Sequence, residues 1–169
     1  THLVLKLSGD VMGSSTAFLR NTQTLTSRNL RVRLAASAEK PLFRNAVNLI
    51  LNAAWGHAAG SIQGLPSSFS ALTTFAGGAR FLFYPAKNWE LRLSGSYNAT
   101  ERQARHFVHA FFLDAGVRWS KGRFDFELNG RNLTNCRQYT IREYILNDVY
   151  TYTYFLRPAE CLLSIKYKF

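Results

Sequence analysis

Residues 161–169 read "CLLSIKYKF". Counted back from the end by twos, Phe169, Tyr167, Ile165, Leu163 and Cys161 share one parity, while Lys168, Lys166, Ser164 and Leu162 share the other. Successive side chains of a β-strand point to opposite faces, so this stretch is a strand with one apolar and one mostly polar face. The fold then depends on what the apolar face meets, which is either the core of a soluble sheet or the hydrocarbon of a membrane.

The same period of two recurs along the chain and helical period is nearly absent, which predicts eight long antiparallel strands at about 2–11, 25–37, 44–56, 69–84, 89–99, 106–119, 123–146 and 149–169. Each carries an apolar face: Leu3, Leu5 and Leu7; Leu30, Val32 and Leu34; Leu49, Leu51 and Trp55; Phe75, Phe81 and Phe83; Trp89, Leu91, Leu93 and Tyr97; Phe107, Phe111, Leu113, Val117 and Trp119; Phe124, Phe126 and Leu128. At the same depth the opposite faces carry Lys6, Asp10, Arg31, Arg33, Asn52, Arg80, Arg92, Asp114, Arg118, Asp125, Glu127 and Arg131. A soluble sandwich alternates too, so alternation alone does not choose the medium. Connection lengths add to it: "AEKPLF", "PAKN" and "SKGR" are short, while 12–24 and 57–68 read as long loops, and short turns at one end with longer loops at the other characterise transmembrane barrels.

Aromatic placement is an independent sign. Trp89, Trp119 and Tyr167 fall beside the short turns, and Trp55, Tyr97 and Phe107 at the far ends of their strands. From Trp89 to Tyr97 a strand rises ~26 Å, or about 20 Å along the membrane normal at a ~40° tilt, close to the height of the apolar band between the two aromatic girdles of an outer-membrane barrel. The greasy face of the final strand is therefore expected to meet lipid.

Composition narrows the classes. The chain has 169 residues, of which 47% are hydrophobic and 14% aromatic, too many for a disordered segment. It contains no apolar run near the ~20 residues of a membrane helix and no leader pattern at its start. Since "THLVLKL" is already in strand pattern, the expectation is a piece of a longer barrel, with no plug or N-terminal domain within residues 1–169. Against 10 acidic residues stand 21 Lys and Arg, a formal charge of +11 that invites a nucleic-acid reading. Bases and aromatics are mostly segregated to opposite faces, whereas a single-strand binder interleaves them, so no nucleic-acid partner is expected. His2, His57, His106 and His109 form no cluster at metal spacing, Cys136 and Cys161 fit no zinc motif, and no nucleophile-elbow, phosphate-loop or dinucleotide fingerprint occurs. No metal, cofactor or catalytic residue is expected.

The stretch "WSKGRFDFELNGRNLTNCRQYT" followed by "YFLRPAECLLSIKYKF" resembles the C-terminal end of TonB-dependent-receptor-like barrels, especially the outer-membrane β-barrel family common in Bacteroidetes. Phe126, Leu128, Asn132, Leu133, Thr134 and Asn135 match that family's penultimate-strand pattern, and Leu156, Arg157 and Pro158 match the opening of its last strand, with Ala159 where a basic residue is usual. "LFYPAKNWELRLSGSYN" is similar to its strand, tight turn, strand unit, so the resemblance covers about 65–169. It implies an arc of a wide barrel of about 22 strands that transports or binds a solute in the bacterial outer membrane. It also implies energy coupling only through N-terminal parts outside this stretch, contact with outer-membrane lipid and lipopolysaccharide, and Phe169 as the signal read by the barrel-assembly machinery.

Arg80, Arg92, Arg118, Arg131, Asp114, Asp125 and Glu127 are the lumen-facing binding candidates, since a positive wall favours anionic solutes. Asp125 and Glu127 have the spacing of paired acid–base carboxylates, but arginines at the same depth make a salt-bridge ladder the reading preferred. Tyr150 to Phe155, "YTYTYF", is expected to belong to a long hairpin protruding above the upper belt. If that hairpin turns at Asn147-Asp148, Cys136 and Cys161 become neighbours on outward positions, with two free thiols preferred over a strained cross-strand bond. Arg102, Arg105, Arg137 and Arg142 are placed on outer loops, within reach of lipopolysaccharide phosphates. A complete eight-stranded outer-membrane barrel with a structural or adhesion role and a soluble basic β-sandwich remain the alternatives.

Overall fold

The computed structural model describes residues 2–43, 46–63, 65–103, 106–145 and 148–169. Among these the protein is all-β, with ten strands and no helix. Strands β1 (Val4–Arg20), β2 (Gln23–Leu42), β3 (Val47–Ile62), β4 (Leu65–Phe83), β5 (Trp89–Gln103), β6 (His106–Lys121) and β7 (Phe124–Arg131) follow one another as antiparallel neighbours. Strands β8 (Gln138–Ile145) and β9 (Asp148–Phe155) form a separate two-stranded ribbon, and β10 (Glu160–Tyr167) returns beside β7. The main sheet has eight strands, with β1 and β10 as its two edges, so it is an open sheet.

The register keeps every apolar face in phase. Leu7 opposes Ala36, Ala36 opposes Ala53, Ala53 opposes Gly77 and Gly77 opposes Tyr97. Toward the other end, Leu91 opposes Val117, Val117 opposes Leu128 and Leu128 opposes Leu163. The in-phase face is uncovered: Leu7 is 85% exposed, Leu163 68% and Val11 71%, values that rule out a packed second layer over them within this chain. Among the described residues the buried hydrophobics are few and mostly small, with Val47, Ala58, Leu72, Ala99 and Ala110 under or at a tenth of their surface.

Two expectations from the sequence are corrected. The stretches 12–24 and 57–68 are largely strand rather than long loops: β1 and β2 pair continuously to Arg20 opposite Gln23, closed by Asn21 and Thr22 at φ 48° and 66°. Above an apolar band both faces of a ribbon meet water, so residues such as Ser14, Ser15 and Thr16 lose the alternation by which a strand is read while keeping its hydrogen bonds. Strands of 15 to 20 residues in β1–β6 therefore exceed the about 9–11 needed to cross a bilayer.

The second correction is at the C-terminal end, where the expected strands at 123–146 and 149–169 are each broken in two. The chain leaves β7 through Asn132 and Asn135, both in the left-handed region at φ 49° and 53°, which Asn tolerates better than most residues. Asn132 then ties the break together. Its amide group donates to the carbonyls of Cys136 at 2.9 Å and Arg157 at 2.8 Å, and its side-chain oxygen accepts from the Cys136 N–H at 2.9 Å. Its own N–H donates to Asp114 Oδ1 at 2.7 Å, and the Thr134 hydroxyl donates to the Phe111 carbonyl at 2.6 Å. The segment before β10 is held from the same side by Asn135, whose side-chain oxygen accepts from the N–H of Ala159 at 3.3 Å.

Released by this junction, the β8–β9 hairpin does not protrude as an extension of its neighbours. It lies against the polar face of the main sheet: Val149 packs on Ala58 and Leu72, and Tyr139 meets Phe112 edge-on at 5.8 Å. Arg142, expected on an outer loop, donates from Nη1 to the carbonyls of Glu101 at 2.5 Å and Arg102 at 2.6 Å. Arg137 donates to Asn135 Oδ1 at 2.9 Å, and Arg105 and the Asn147 half of the expected tip lie outside the described residues. Cys161 is paired with Gly130 while Cys136 sits in the break, so the cysteines are not partners in one hairpin register, and both are free thiols. Asn132→Ala removes four side-chain hydrogen bonds, the fourth being the one its oxygen accepts from the Thr134 hydroxyl at 3.4 Å, and the residue type best suited to its φ. The expected cost is about 1–3 kcal/mol, read as a lowered urea midpoint together with faster proteolytic cleavage between residues 132 and 137.

Candidate functional site

The polar face opposite the greasy one carries the residues with chemistry. Because β5, β6, β7 and β10 are in register, Glu90 opposes Arg118, Arg118 opposes Glu127 and Glu127 opposes Ser164, while Arg92 opposes Gly116 and Gly116 opposes Asn129. Charges of alternating sign are thereby laid across β5, β6 and β7. Arg92 bonds Glu127 and lies 3.7 Å from Glu90 and 3.2 Å from Asn129 Oδ1. A side chain at Gly116 would stand 2.7 Å from Asn129 Oδ1 and 3.3 Å from Arg92 Nε, so glycine there leaves the space in which the guanidinium and amide meet. Asp125, buried at 5% exposure, accepts from Arg118 Nη2 at 3.1 Å and from the Ser120 hydroxyl, with Lys168 Nζ at 3.4 Å. Arg131 pairs loosely with Glu160 at 3.8 Å.

Of the seven lumen-facing candidates, the fold thus gathers Arg92, Arg118, Asp125 and Glu127 into one ladder and sends Arg131 to β10. Asp114 serves the junction by accepting from Asn132. Arg80 has no ion-pair partner among the described residues and lines a recess of about 490 Å³ with Arg92, Asp114, Asn129 and Arg131. Both carboxylates of the Asp125 and Glu127 pair have oxygens engaged by a guanidinium, an arrangement that holds neighbouring strands together.

The other half of the polar face differs. Over β1–β4 it carries Lys6, Arg31, Arg33 and Arg80 against Asp10 and Glu39, and Glu39 accepts from Asn48 at 2.9 Å. A cavity of about 560 Å³ opens here between the wall and the hairpin, lined by Arg31, Arg33, Ala58, Leu72, Arg142 and Glu143 among others. Parity alone places Arg31 and Arg33 on this face, but nothing local in the sequence signals that Arg142 comes to line the same cavity.

The greasy face is bounded by rings at both levels. At the tight-turn end Trp89 and Trp119 lie 5.9 Å apart, Trp119 and Phe126 5.4 Å, Phe126 and Phe124 6.0 Å, Phe124 and Tyr167 4.9 Å, and Tyr167 and Phe169 5.3 Å. This makes one continuous row across β5, β6, β7 and β10, each contact adding about 0.5–1.5 kcal/mol beyond area burial. At the other level Phe75 meets Phe107 at 5.7 Å, Phe107 meets His109 at 6.4 Å and Tyr97 stacks on His109 at 5.8 Å with its hydroxyl 2.6 Å from Nδ1. Trp55 stacks on His57 at 6.1 Å, and His57 reaches the Thr73 hydroxyl at 3.0 Å, so polar groups on the greasy side begin at this row. Two of the four scattered histidines therefore belong to the upper row, a role that the sequence alone did not assign. Among the described residues no group of three or more His, Cys, Asp or Glu is placed to hold a metal ion.

No family model, curated protein or solved structure matches the chain. Its geometry has to carry the reading. Asp125→Asn removes the charge on which Arg118, Lys168 and Ser120 converge while keeping the side-chain volume. The thermal midpoint is expected to fall, and to fall further than for Glu143→Gln on the hairpin, when both variants are melted side by side.

Proposed function

We propose that this chain is part of the wall of a TonB-dependent-receptor-like β-barrel in the bacterial outer membrane, where it serves solute uptake or binding and catalyses no reaction. The observation that carries this reading is the greasy face: it is continuous across eight strands in register, largely uncovered, and bounded by an aromatic row at each level. Soluble monomers rarely leave more than a few hundred Å² of contiguous apolar surface in water. Lipid removes that cost, and aromatic rings at both borders suit the headgroup region. The charged opposite face then lines a hydrated lumen, the tight turns at 84–88 and 122–123 face the periplasm, and the extended hairpins of β1–β6 stand outside the cell.

A closed eight-stranded barrel requires β1 to pair with β10, and those are the sheet's two edges. A sandwich requires a second sheet over the apolar face, whereas the β8–β9 hairpin packs on the polar one. The arc of a wider barrel fits both features. In that setting outer-membrane lipid and lipopolysaccharide surround the chain, the last strand is handed to the barrel-assembly machinery, and energy coupling runs through parts of the protein other than this wall.

Arg introduced at lipid-side Leu93 or Leu113 is expected to cost ~2–4 kcal/mol in bilayer folding equilibria, whereas Arg at lumen-side Ser94 or Ser96 is mild. Equal penalties on the two faces would sink the assignment of one to lipid. Deleting Phe169 should lower the yield of assembled protein in outer-membrane fractions without changing the heat-modifiability of what does assemble.

A further inference from the structure

The polar face is not uniform in how its charges are compensated. In the β5–β7 and β10 half, Arg92, Arg118 and Arg131 each have a carboxylate within 4.0 Å. In the β1–β4 half, Arg33 has no ion pair among the described residues, although Asp10 stands opposite it in the register. The hairpin, seated on β4, β5 and β6, borders this second half across the cavity and brings one more guanidinium. Arg142 is oriented by its Nη1 bonds to the Glu101 and Arg102 carbonyls and by an Nε bond to the Thr151 hydroxyl at 3.2 Å. None of these uses Nη2. The half-open space of about 560 Å³ is of the size that holds a small ligand, and its floor includes the apolar side chains of Ala54 and Ala76.

We propose that the cavity between the β8–β9 hairpin and the inner wall of β2–β4 is a binding site for a small organic anion, whose carboxylate or phosphate lies between Arg33 and Arg142 and whose apolar part rests on Ala54 and Ala76. Arginine suits this task because its planar fork bonds two oxygens at once and keeps its charge when partly desolvated. Holding Arg142 in place through backbone carbonyls means that little side-chain entropy is lost when an anion arrives. Glu143 on the rim disfavours a second anionic group at that end, so a ligand with a single anionic head group and an apolar body is the class that fits. The role of this site in uptake rests on the reading of the polar face as a lumen, but the binding itself does not.

The test is calorimetric titration of the full chain, refolded in detergent, with phenyl phosphate, benzoate and neutral benzyl alcohol. At least one of the two anions should bind, benzyl alcohol should not, and the tighter anion identifies a phosphate or a carboxylate head. Arg33→Gln and Arg142→Gln should each weaken the anion about tenfold or more, while Arg28→Gln, the same change on the opposite face, should leave it unaltered. Arg142 also anchors the hairpin, so Arg33→Gln, which touches none of the hairpin's bonds, is the deciding variant. Absence of binding by both anions, equal binding of benzyl alcohol, or unchanged affinity in Arg33→Gln would overturn the site. Protease protection of the same preparation in lipid vesicles separates the two readings: protein that inserts without binding anions refutes the site alone, and protein that binds without inserting keeps the site and refutes the membrane wall.

Discussion

The backbone register across β1–β7 and β10 is the constraint on which the rest of the structure depends. Side chains alternate with a period of two, so a slip of one residue in any of the seven ladders would carry a row of Leu, Val and Phe to the polar face and a row of Arg and Asp to the apolar one. Tight turns pin the ladders at one end, among them Gly122 at φ +60° between β6 and β7, and cross-strand ring contacts such as Trp89 with Trp119 pin them at the same level. The two faces can then be specialised independently. Substitutions that enlarge an outward residue alter contact with the surrounding medium, while those on the inner face alter charge compensation.

The junction at Asn132 solves a topological problem created by that register. β7 and β10 are adjacent in the sheet but are separated in sequence by a whole hairpin, and an insertion of that length leaves the sheet's backbone groups to be satisfied at the point of exit. Asn132, Thr134 and Asn135 supply side-chain donors and acceptors where ladder bonds stop, and Asp114 on β6 accepts the first freed N–H. The residues that carried the family resemblance near the C-terminus are in large part those that make this exit and re-entry possible, which gives the pattern a physical meaning that does not depend on the resemblance.

Charge compensation divides the inner wall into two regions with different prospects. Where β5, β6, β7 and β10 run, opposite charges lie within reach of each other and hold neighbouring strands, so the residues that look most like a binding constellation in the sequence are largely occupied with one another. Where β2, β3 and β4 run, Arg33 and Arg80 have no ion pair among the described residues, and the hairpin brings Arg142 to the cavity that Arg33 lines. An excess of positive charge thus becomes a local property of one part of the wall rather than of the chain as a whole, and partly enclosed charges act more strongly on a ligand than those facing open water.

Alternation, read residue by residue, determined which side chains share a face, and it did so because the two-residue period of a strand is a local property that needs no knowledge of neighbours. The same locality explains the errors. Polar ribbons such as 12–24 carry no apolar stripe and so read as loops, although Arg20 still opposes Gln23. Tyr139, Arg142 and Tyr152 alternate as well as any other strand, so nothing in their sequence separated a hairpin continuing the sheet from one lying across it. Only the tertiary structure decided that, because the direction of the hairpin is set by Asn132 and Asn135 at positive φ and by contacts to Phe112, Leu72 and the Glu101 carbonyl, which lie 20 or more positions away in the chain.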